Sequence, residues 1–369
     1  MKSSGEESKG KAGGRRATLR EVAAAVGVSV ATASNAYNRP DQLSEALRER
    51  VFGAASRLGY AGPDPLGRGL RRRRAGAIGV LCADRLSYAF TDPAAVMFLE
   101  GVSFAAEEAG LGMLLLPGGP AGGREIGAVL GAAVDGFVAY CIAEDDPLVE
   151  RIVGRGLPMV FVDNPIVAGM PSVGVDDKGG SRAAARHLLG LGHRRFGVVS
   201  FEFGGEPVGG IVSPERRGEA THANTAARLD GYEVEISSVG LDWNAVPVYE
   251  CLENTPEQGR LAAKALLSSH PRPTALLALS DQLAFGAMEA IREAGLRVPE
   301  DISIVGYDDV PEAARSNPPL TTVHQPHKEK GLRAGRRLIA QVEGESATGE
   351  AEMFGTRLIV RGSTTEMRL

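Results

Sequence analysis

The sequence predicts a small all-helical head followed by an α/β body, and three observations support this fold class. The stretch ATLREVAAAVGVSVATASNAYN at residues 17–38 contains two short amphipathic segments separated by a glycine. From Gly76 onward, short apolar runs alternate with amphipathic stretches, as in parallel sheets covered by helices on both faces. Basic residues concentrate in the first part of the chain, so head and body also differ in charge.

The composition bounds the class of protein. The chain has 369 residues, and no apolar run approaches the roughly 20 residues that a membrane span needs. Residues 1–16 are basic but lack the apolar stretch of a secretory signal, so we interpret them as a disordered arm. The cysteines Cys82, Cys141 and Cys251 are widely spaced, which is typical of a reducing compartment. We therefore expect a cytoplasmic protein.

The charge is unevenly distributed along the chain. Residues 1–75 contain 15 Lys and Arg against 7 Asp and Glu, a net charge of +8. Since the whole chain carries −5, the remainder carries −13. A basic head on an acidic body indicates a polyanionic partner for the head, although a solvated charged terminus would give the same balance.

The first segment fits a helix-turn-helix, which favours nucleic acid as that partner. Val22, Ala25 and Val28 recur at helical spacing, and Gly27 interrupts the pattern after two turns. A second short helix then begins with Ser29 as its N-cap. Two short helices joined by a tight glycine turn are typical of proteins that place the second helix in the major groove.

A third helix is predicted to cover the first two. Ser44 is its N-cap, Gly59 ends it, and five apolar residues between them share one face. These residues are Leu47, Val51, Ala54, Ala55 and Leu58. The predicted DNA-binding domain therefore spans residues 17–60.

Residues 18–60 resemble the DNA-binding headpiece of the lactose-repressor (LacI/GalR) family of bacterial transcription regulators. The motifs that carry the resemblance are TLREVAAAVGVS, the ATAS that follows, Asn38, and LxxRVxxAxxxLGY ending at Tyr60. These motifs are specific to the family in combination, whereas any one of them alone is common.

The resemblance implies that the second helix reads DNA. Base contacts fall on Val30, Ala31 and Asn35, because Asn pairs with adenine and small apolar groups meet the thymine methyl. The family often has Arg at the position of Asn35, which leaves the preferred base open. Short polar side chains supply phosphate contacts. The candidate DNA-binding residues of the head are Thr18, Ser29, Val30, Ala31, Thr32, Ser34, Asn35, Asn38 and Tyr60.

Residues 61–75, AGPDPLGRGLRRRRA, connect the head to the body. By composition alone this is a flexible linker. The resemblance instead implies a hinge helix that forms on DNA, in which Leu70 wedges into the minor groove beside Arg68. Gly67 and Gly69 disfavour a helix, so we expect the hinge to fold only on DNA.

The resemblance extends over the body and implies two Rossmann-like lobes, as in periplasmic sugar-binding proteins, with ligand in the cleft between them. The predicted first lobe is 76–164 plus 325–347, and the second is 165–324 plus 348–369. The fold class is then α/β, with an all-α helix-turn-helix headpiece followed by a two-lobed periplasmic-binding-protein-like effector domain.

Carboxylates follow three of the predicted strands. Asp163 ends VFVD, Asp281 ends LLALSD, and Asp308 lies in IVGYDD. Parallel sheets bind ligands at the carboxyl ends of their strands, although an Asp there is also a common helix cap. Three such carboxylates at matching family positions favour the ligand role.

The resemblance adds an arginine and a serine to this site. The family's RLxGY motif is ARLDGY here and supplies Arg228, for which Arg216 and Arg217 are alternatives. Ser280 stands where the family often has Asn. Carboxylates and a guanidinium fork bind hydroxyl groups, so the expected ligand is a sugar or is nucleoside-like.

The loop DRLSYAFTDPAA after the first strand faces the same predicted cleft. Tyr88 and Phe90 are candidate stacking platforms, and Asp84 and Asp92 are candidate polar contacts. Loop packing and helix capping are the alternative roles of these four residues.

Enzyme motifs are absent from the sequence. It has no P-loop, HExxH, GxSxG or CxxC, so we predict no catalytic residue, metal or cofactor. His324 and His327 form an HxxH pair, but Pro326 disfavours a helical metal site, and an interlobe hydrogen bond is the preferred interpretation. Paired cleft carboxylates would also suit a glycosidase, which would have no use for the head.

We therefore predict a ligand-responsive, sequence-specific transcriptional regulator, in the simplest case a repressor. A homodimer would place two recognition helices on a pseudo-palindromic double-stranded DNA operator, and the small-molecule effector would change the hinge separation. A ligand-independent architectural DNA binder is the alternative, but it would not need a large body with a polar cleft.

Overall fold

The computed structural model of the chain describes residues 17–62, 74–82, 86–117, 126–142, 146–163, 169–345 and 349–367. The chain divides into two compact units, Met1–Ala75 and Gly76–Leu369. The basic arm, Arg68, Leu70 and Asp84 lie outside the described residues. No helix within the described ranges is long and apolar enough to cross a membrane.

The head contains the three predicted helices, which are α1 (Leu19–Val26), α2 (Val30–Asn38) and α3 (Glu45–Leu58). Their ends follow from the local sequence. The Ser29 and Ser44 hydroxyls accept hydrogen bonds from the first turns of α2 and α3, as predicted. Gly27 and Gly59 end α1 and α3 in the left-handed conformation, with φ of 74° and 68°.

The three helices enclose one small core. Its buried residues are Val22, Ala23, Val26, Ala33, Ala36, Val51, Ala54 and Ala55. Of the three residues that recur at helical spacing, Val22 is buried in this core, whereas Ala25 is exposed, because α1 turns Ala23 and Val26 inward. Leu58, in the last turn of α3, is also exposed rather than buried.

The first lobe is built on a parallel sheet covered on both faces by apolar clusters, as predicted. Its strands are β1 (Ala77–Cys82), β2 (Gly112–Pro117), β3 (Phe137–Tyr140), β4 (Met159–Val162), β5 (Ser172–Val175) and β12 (Ala351–Phe354). They are ordered β12-β5-β4-β3-β1-β2. The helices of this lobe are α4 (Pro93–Glu108), α5 (Ile126–Leu130), α6 (Pro147–Val153) and α12 (His327–Glu343).

The second lobe is built on a seven-stranded sheet. Its strands are β6 (Phe196–Ser200), β7 (Gly210–Val212), β8 (Val248–Glu250), β9 (Ala275–Ala278), β10 (Ser303–Asp308), β11 (Thr321–His324) and β13 (Arg357–Ile359). They are ordered β13-β11-β10-β9-β6-β8-β7, and the two outermost strands run antiparallel to their neighbours. The helices of this lobe are α7 (Asp177–Gly190), α8 (Pro214–Arg217), α9 (Ala223–Ser238), α10 (Pro256–Leu267) and α11 (Asp281–Glu293).

The chain crosses between the lobes at positions that differ from two of the three predicted ones. β5 pairs with β4, with Val162 beside Val173, so the first crossing follows residue 175 rather than 165. β12 pairs with β5, so the last crossing lies between residues 354 and 357 rather than near 348. The middle crossing lies between β11 and α12, because α12 packs against α4 of the first lobe.

Candidate functional site

The second helix of the head presents a row of side chains to solvent. Val30 and Ala31 are exposed, and Ser34 and Asn35 follow one turn later on the same face. The Asn35 side chain donates from Nδ2 to Gln42 Oε1 at 3.5 Å. These four candidates therefore share one surface of α2.

Two of the predicted phosphate-binding residues also cap helices. Thr18 forms a capping box with Glu21: its Oγ1 accepts from the Glu21 N–H at 3.3 Å, and its own N–H donates to Glu21 Oε2 at 2.7 Å. Ser29 Oγ accepts from the Thr32 N–H at 3.0 Å and lies 2.8 Å from Thr32 Oγ1. The cap at Ser29 was predicted from the sequence, whereas the capping box at Thr18 was not.

Asn38 and Tyr60 have contacts inside the head as well. Asn38 donates from Nδ2 to the Ser34 carbonyl at 3.0 Å. The Tyr60 ring meets the Tyr37 ring edge-on, with 6.0 Å between centroids, and packs against the head core. These contacts fix the orientation of side chains at the end of α2 and after α3.

The second lobe contributes a buried arginine and two carboxylates to the interlobe region. Arg228 on α9 donates from Nε to Asp177 Oδ1 at 2.8 Å, and its Nη1 lies 4.0 Å from Asp308 Oδ1. Its guanidinium lies 3.8 Å from the centroid of the Tyr307 ring. Burial raises the pKa of Asp308 well above its ordinary value, and the positive charge of Arg228 opposes that shift.

The alternative arginines lie elsewhere in the second lobe. Arg217 donates to the carbonyl oxygens of Trp243 and Val246 at 3.0 and 2.6 Å. Arg216 pairs with the buried carboxylate of Glu250 at 2.7 Å. Arg228 is therefore the one of the three candidates that lies beside Asp308.

The first lobe contributes Asp163 and a lysine that the sequence analysis missed. Lys330 on α12 is 1% exposed and donates from Nζ to Asp163 Oδ2. Gln325 accepts from Lys330 Nζ at 3.3 Å and donates from Nε2 to Asp308 Oδ1 at 2.7 Å. The polar chain Asp163–Lys330–Gln325–Asp308 therefore runs from the first lobe to the second.

A second bridge between the lobes passes through Tyr88. Asn254 of the second lobe donates from Nδ2 to the Tyr88 hydroxyl at 2.7 Å, and that hydroxyl donates to Asp92 Oδ2 at 3.1 Å. Ser280 donates to Asn254 Oδ1 at 2.5 Å and caps α11. Asp92 caps α4, and Phe90 nearby is 67% exposed. The predicted Tyr88, Asp92 and Ser280 thus meet in one hydrogen-bond network. Asn254 also belongs to this network, although it was not among the candidate residues predicted from the sequence.

Asp281 has a structural role in place of the predicted ligand contact. It is fully buried, its Oδ1 accepts from Thr322 Oγ1 at 2.5 Å, and its Oδ2 accepts from the Val310 N–H at 2.9 Å. Burial raises its pKa to about 7. The two oxygens therefore hold α11 to two other parts of the lobe. Oδ1 holds it to β11 through Thr322, and Oδ2 holds it to the segment after β10 through Val310.

The two histidines of the HxxH pair do not converge, and the predicted interlobe hydrogen bond is wrong. His324 Nδ1 lies 2.9 Å from Asp309 Oδ2 in the same lobe. His327 Nε2 lies 3.7 Å from Asp308 Oδ1, which is too long for a hydrogen bond. In the part of the chain that the structure describes, no three His, Cys, Asp or Glu side chains are grouped to hold a metal ion.

Backbone strain marks the same region. Within the described ranges, the non-glycine residues with positive φ are Cys141, Asp163, Asp308 and Asp309. Each of them lies at or just beyond the carboxyl end of a strand. Because strained conformations cluster at binding sites, they single out this end of both sheets.

Comparison with known proteins decides the family. The model for bacterial regulatory proteins of the lacI family matches residues 18–62, and that for a periplasmic binding protein-like domain matches residues 185–364. An HTH-type transcriptional regulator of Mycobacterium tuberculosis is 44% identical over 353 residues, covering 95% of this chain and 97% of that protein. The chain belongs to the LacI family.

Solved structures of LacI-family regulators share its architecture. A LacI-family regulator of Corynebacterium glutamicum is 36% identical, covering 95% of this chain and 98% of its own, with a TM-score of 0.72. A complex of the regulator CelR with cellobiose is 30% identical, covering 94% and 100%, with a TM-score of 0.67. The chain is therefore a transcriptional regulator with a DNA-binding head and an effector-binding domain, and it is not an enzyme.

Proposed function

We propose that this LacI-family regulator represses transcription by binding a pseudo-palindromic operator as a homodimer, and that an uncharged polyhydroxyl metabolite sets its operator affinity. The observation that carries the proposal is the polar chain Asp163–Lys330–Gln325–Asp308, which joins the two lobes. A ligand that contacts both Asp163 and Asp308, the two ends of this row of polar side chains, would change the relative orientation of the two lobes. A coupling free energy of about 1–3 kcal/mol then changes operator affinity by about 5- to 150-fold.

The charges of the interlobe region favour an uncharged ligand. In the part of this region that the structure describes, the buried cations Arg228 and Lys330 are already paired with Asp177 and Asp163. A phosphate or carboxylate ligand would meet these carboxylates and Asp308, and neither Arg228 nor Lys330 would be free to pair with it. Hydroxyl groups instead donate to carboxylate oxygens without a charge penalty. The cellobiose bound by CelR is a ligand of this class.

Exposed apolar side chains on the first lobe support a homodimer. Val96 and Phe104 lie two turns apart on α4 and are 44% and 39% exposed. A second copy would cover such a surface through a two-fold interface. Two heads then reach half-sites about one helical turn of DNA apart, which explains the expected palindrome.

Replacing Asn35 by alanine is expected to relax base preference at one position of each half-site. The amide pairs with two atoms of adenine, and losing it costs about 1–3 kcal/mol of discrimination at that position. Operator variants with single base changes, titrated at fixed salt, measure the effect. Ser56→Ala, on the exposed face of α3, is the control and keeps the preference. An unchanged preference in the Asn35 variant would refute the contact.

Leu70 and Arg68, in the hinge outside the described residues, are proposed to enter the minor groove when the hinge folds on DNA. Leu70→Ala is expected to weaken operator binding by a few kcal/mol and to spare nonspecific duplex, because only the specific complex contains the wedge. Leu66→Ala, four residues earlier, is the matched control. An equal loss of affinity for operator and for nonspecific duplex would show that Leu70 does not act as a wedge in the specific complex.

The DNA half of the proposal is tested by selecting operators from random duplex DNA with the full chain. Enrichment of one pseudo-palindrome is expected, and its two halves should align with two recognition helices. Retention of DNA without any enriched sequence, with a steep dependence on salt, would mean that the head binds the phosphate backbone alone and that the proposal fails.

A further inference from the structure

A cavity of about 640 Å³ lies at the edge of the second-lobe sheet that is opposite to the interlobe region. It is lined by the segments that lead into β6, β9 and β10 and by residues 365–367. These three strands are parallel, so their starts share one edge, while their carboxyl ends, with Asp308, share the other. The cavity is therefore separate from the candidate effector site.

A fully hydrogen-bonded histidine forms the floor of this cavity. His193 is 2% exposed, its Nε2 donates to the Thr365 carbonyl at 3.1 Å, and its Nδ1 lies 3.0 Å from Thr274 Oγ1. Ser303 Oγ accepts from the Thr365 N–H at 3.1 Å. Burial lowers the pKa of His193, so the ring is neutral at pH 7. These bonds hold the segments before β9 and β10 and the C-terminal segment in fixed positions around the cavity.

Two arginines of the lining are available to a ligand. Arg195 precedes β6, Arg272 precedes β9, and both are exposed. Within the described ranges, neither guanidinium group makes a hydrogen bond or an ion pair. The segments that carry them are adjacent, because the Thr274 N–H donates to the Arg195 carbonyl at 2.9 Å. Guanidinium groups in this arrangement suit the oxygens of a carboxylate or a phosphate.

Two carboxylates of the lining are available as well. Glu300 precedes β10, and Glu366 belongs to the C-terminal segment that is bound to the start of β10. Neither carboxylate makes an ion pair within the described ranges. Asp301, which also lines the cavity, is instead bound to Arg297 at 3.0 Å. Since β9 lies between β6 and β10, the available arginines come from one side of the cavity and the available carboxylates from the other.

This separation of charge fits a ligand that carries one charge of each sign. A phosphate would pair with the arginines but would also meet the glutamates, and an amine without an anionic group would meet the reverse situation. The volume of the cavity lies in the range of small-molecule sites. We propose that the cavity binds a free amino acid, with its carboxylate held by Arg195 and Arg272 and its ammonium group held by the two glutamates. The regulator then has a second small-molecule site, distinct from the effector site between its lobes.

The experiment is isothermal titration of the full chain with L-glutamine, L-arginine, L-glutamate and L-phenylalanine. At least one of them is expected to bind. Its N-acetyl derivative, which lacks the ammonium group, and its amide, which lacks the carboxylate, are each expected to bind about tenfold more weakly. Arg272→Gln is expected to weaken binding of the amino acid by the same factor and to leave binding of the amide unchanged, as in a double-mutant cycle. Arg357→Gln, an exposed arginine on β13 outside the cavity, is the matched control and keeps the affinity.

Three results would overturn the inference: no binding by any of these amino acids, tighter binding of inorganic phosphate than of the amino acid, or unchanged affinity in both Arg195→Gln and Arg272→Gln. Loss of amino-acid binding in Asp308→Asn would also overturn it, because the amino acid would then lie between the lobes. Both arginines are exposed, so a retained melting temperature of their variants shows that a loss of affinity is not a loss of fold. None of these results bears on the proposed function, which operator titration tests separately.

Discussion

Asp308→Asn is expected to abolish the change in operator affinity that the effector causes. Asp308 receives Gln325 from the interlobe crossing and lies beside Arg228, so it connects the polar chain to the second lobe. The amide has nearly the same shape, but it replaces one acceptor oxygen by a donor. The ratio of operator affinities without and with effector should fall from the expected 5- to 150-fold range to about 1.

The measurement is operator titration of both proteins with a panel of compounds: the uncharged cellobiose, D-glucose, D-ribose and adenosine, and the anion glucose 6-phosphate. The compound that shifts the operator affinity of the unmodified regulator is then compared in the variant. Asp230→Asn is the control, because Asp230 is a half-exposed carboxylate on α9 that pairs with Lys178 at 2.6 Å. It removes the same charge from the same lobe and should keep the response. A full response in the Asp308 variant would place the effector elsewhere.

Lys330→Met is expected to lower the free energy of unfolding by about 3–5 kcal/mol. Lys330 is buried and bound to Asp163, whose side chain is also buried, so removing the ammonium leaves a carboxylate without its countercharge. Methionine fills most of the vacated volume, so lost packing contributes little. Urea denaturation followed by circular dichroism and by the fluorescence of the single tryptophan, Trp243, measures the change.

The double variant Lys330→Met with Asp163→Leu separates charge from packing. It removes both members of the pair and is expected to recover most of the lost stability, because no buried charge remains. Lys328→Met is the control, since Lys328 is a half-exposed lysine on the same helix, paired with Glu100. Loss of stability by the Lys328 variant to the same extent, or no recovery in the double variant, would contradict this account.

The helices of the head could be predicted almost completely because residues next to each helix determine where it begins and ends. Ser29 and Ser44 are N-caps, and Gly27 and Gly59 are C-caps. Each of them forms its capping hydrogen bonds within about one turn of its own position. The exposure of Ala25, which shares the helical spacing of the buried Val22, has a tertiary cause. Which of two adjacent stripes on a short helix is buried depends on where α3 packs, and the spacing of small apolar residues does not specify that.

The lobe boundaries could not be predicted because strand pairing is not local. SVGV at residues 172–175 reads as a buried strand wherever it pairs, and only its register against β4 assigns it to the first lobe. The same holds for β12, which pairs with β5 across a long separation in sequence. Alternation of strands and helices gives the fold class without giving the membership of each sheet.

The candidate site was predicted in part for a similar reason. Asp163, Arg228 and Asp308 belong to recognisable motifs. Lys330 instead lies in a helix with many basic residues, and the sequence does not show which of them faces inward. A signal was present: Lys330 precedes Gly331 and lies four residues before Ala334, which are buried on the same helix. Asp281 is the opposite case, a residue that matched the expected pattern but has a structural role. Both of its carboxylate oxygens accept hydrogen bonds from within the lobe.

The central claim is that one uncharged polyol, bound between the lobes, controls operator affinity. Its most direct test is fluorescence anisotropy of the selected operator duplex, titrated with the full chain at fixed salt, with and without each panel compound. The account predicts that one uncharged polyhydroxyl compound changes the operator Kd by about 5- to 150-fold, while glucose 6-phosphate leaves it unchanged. An operator Kd that no panel compound changes, or that only the phosphate ester changes, would contradict it.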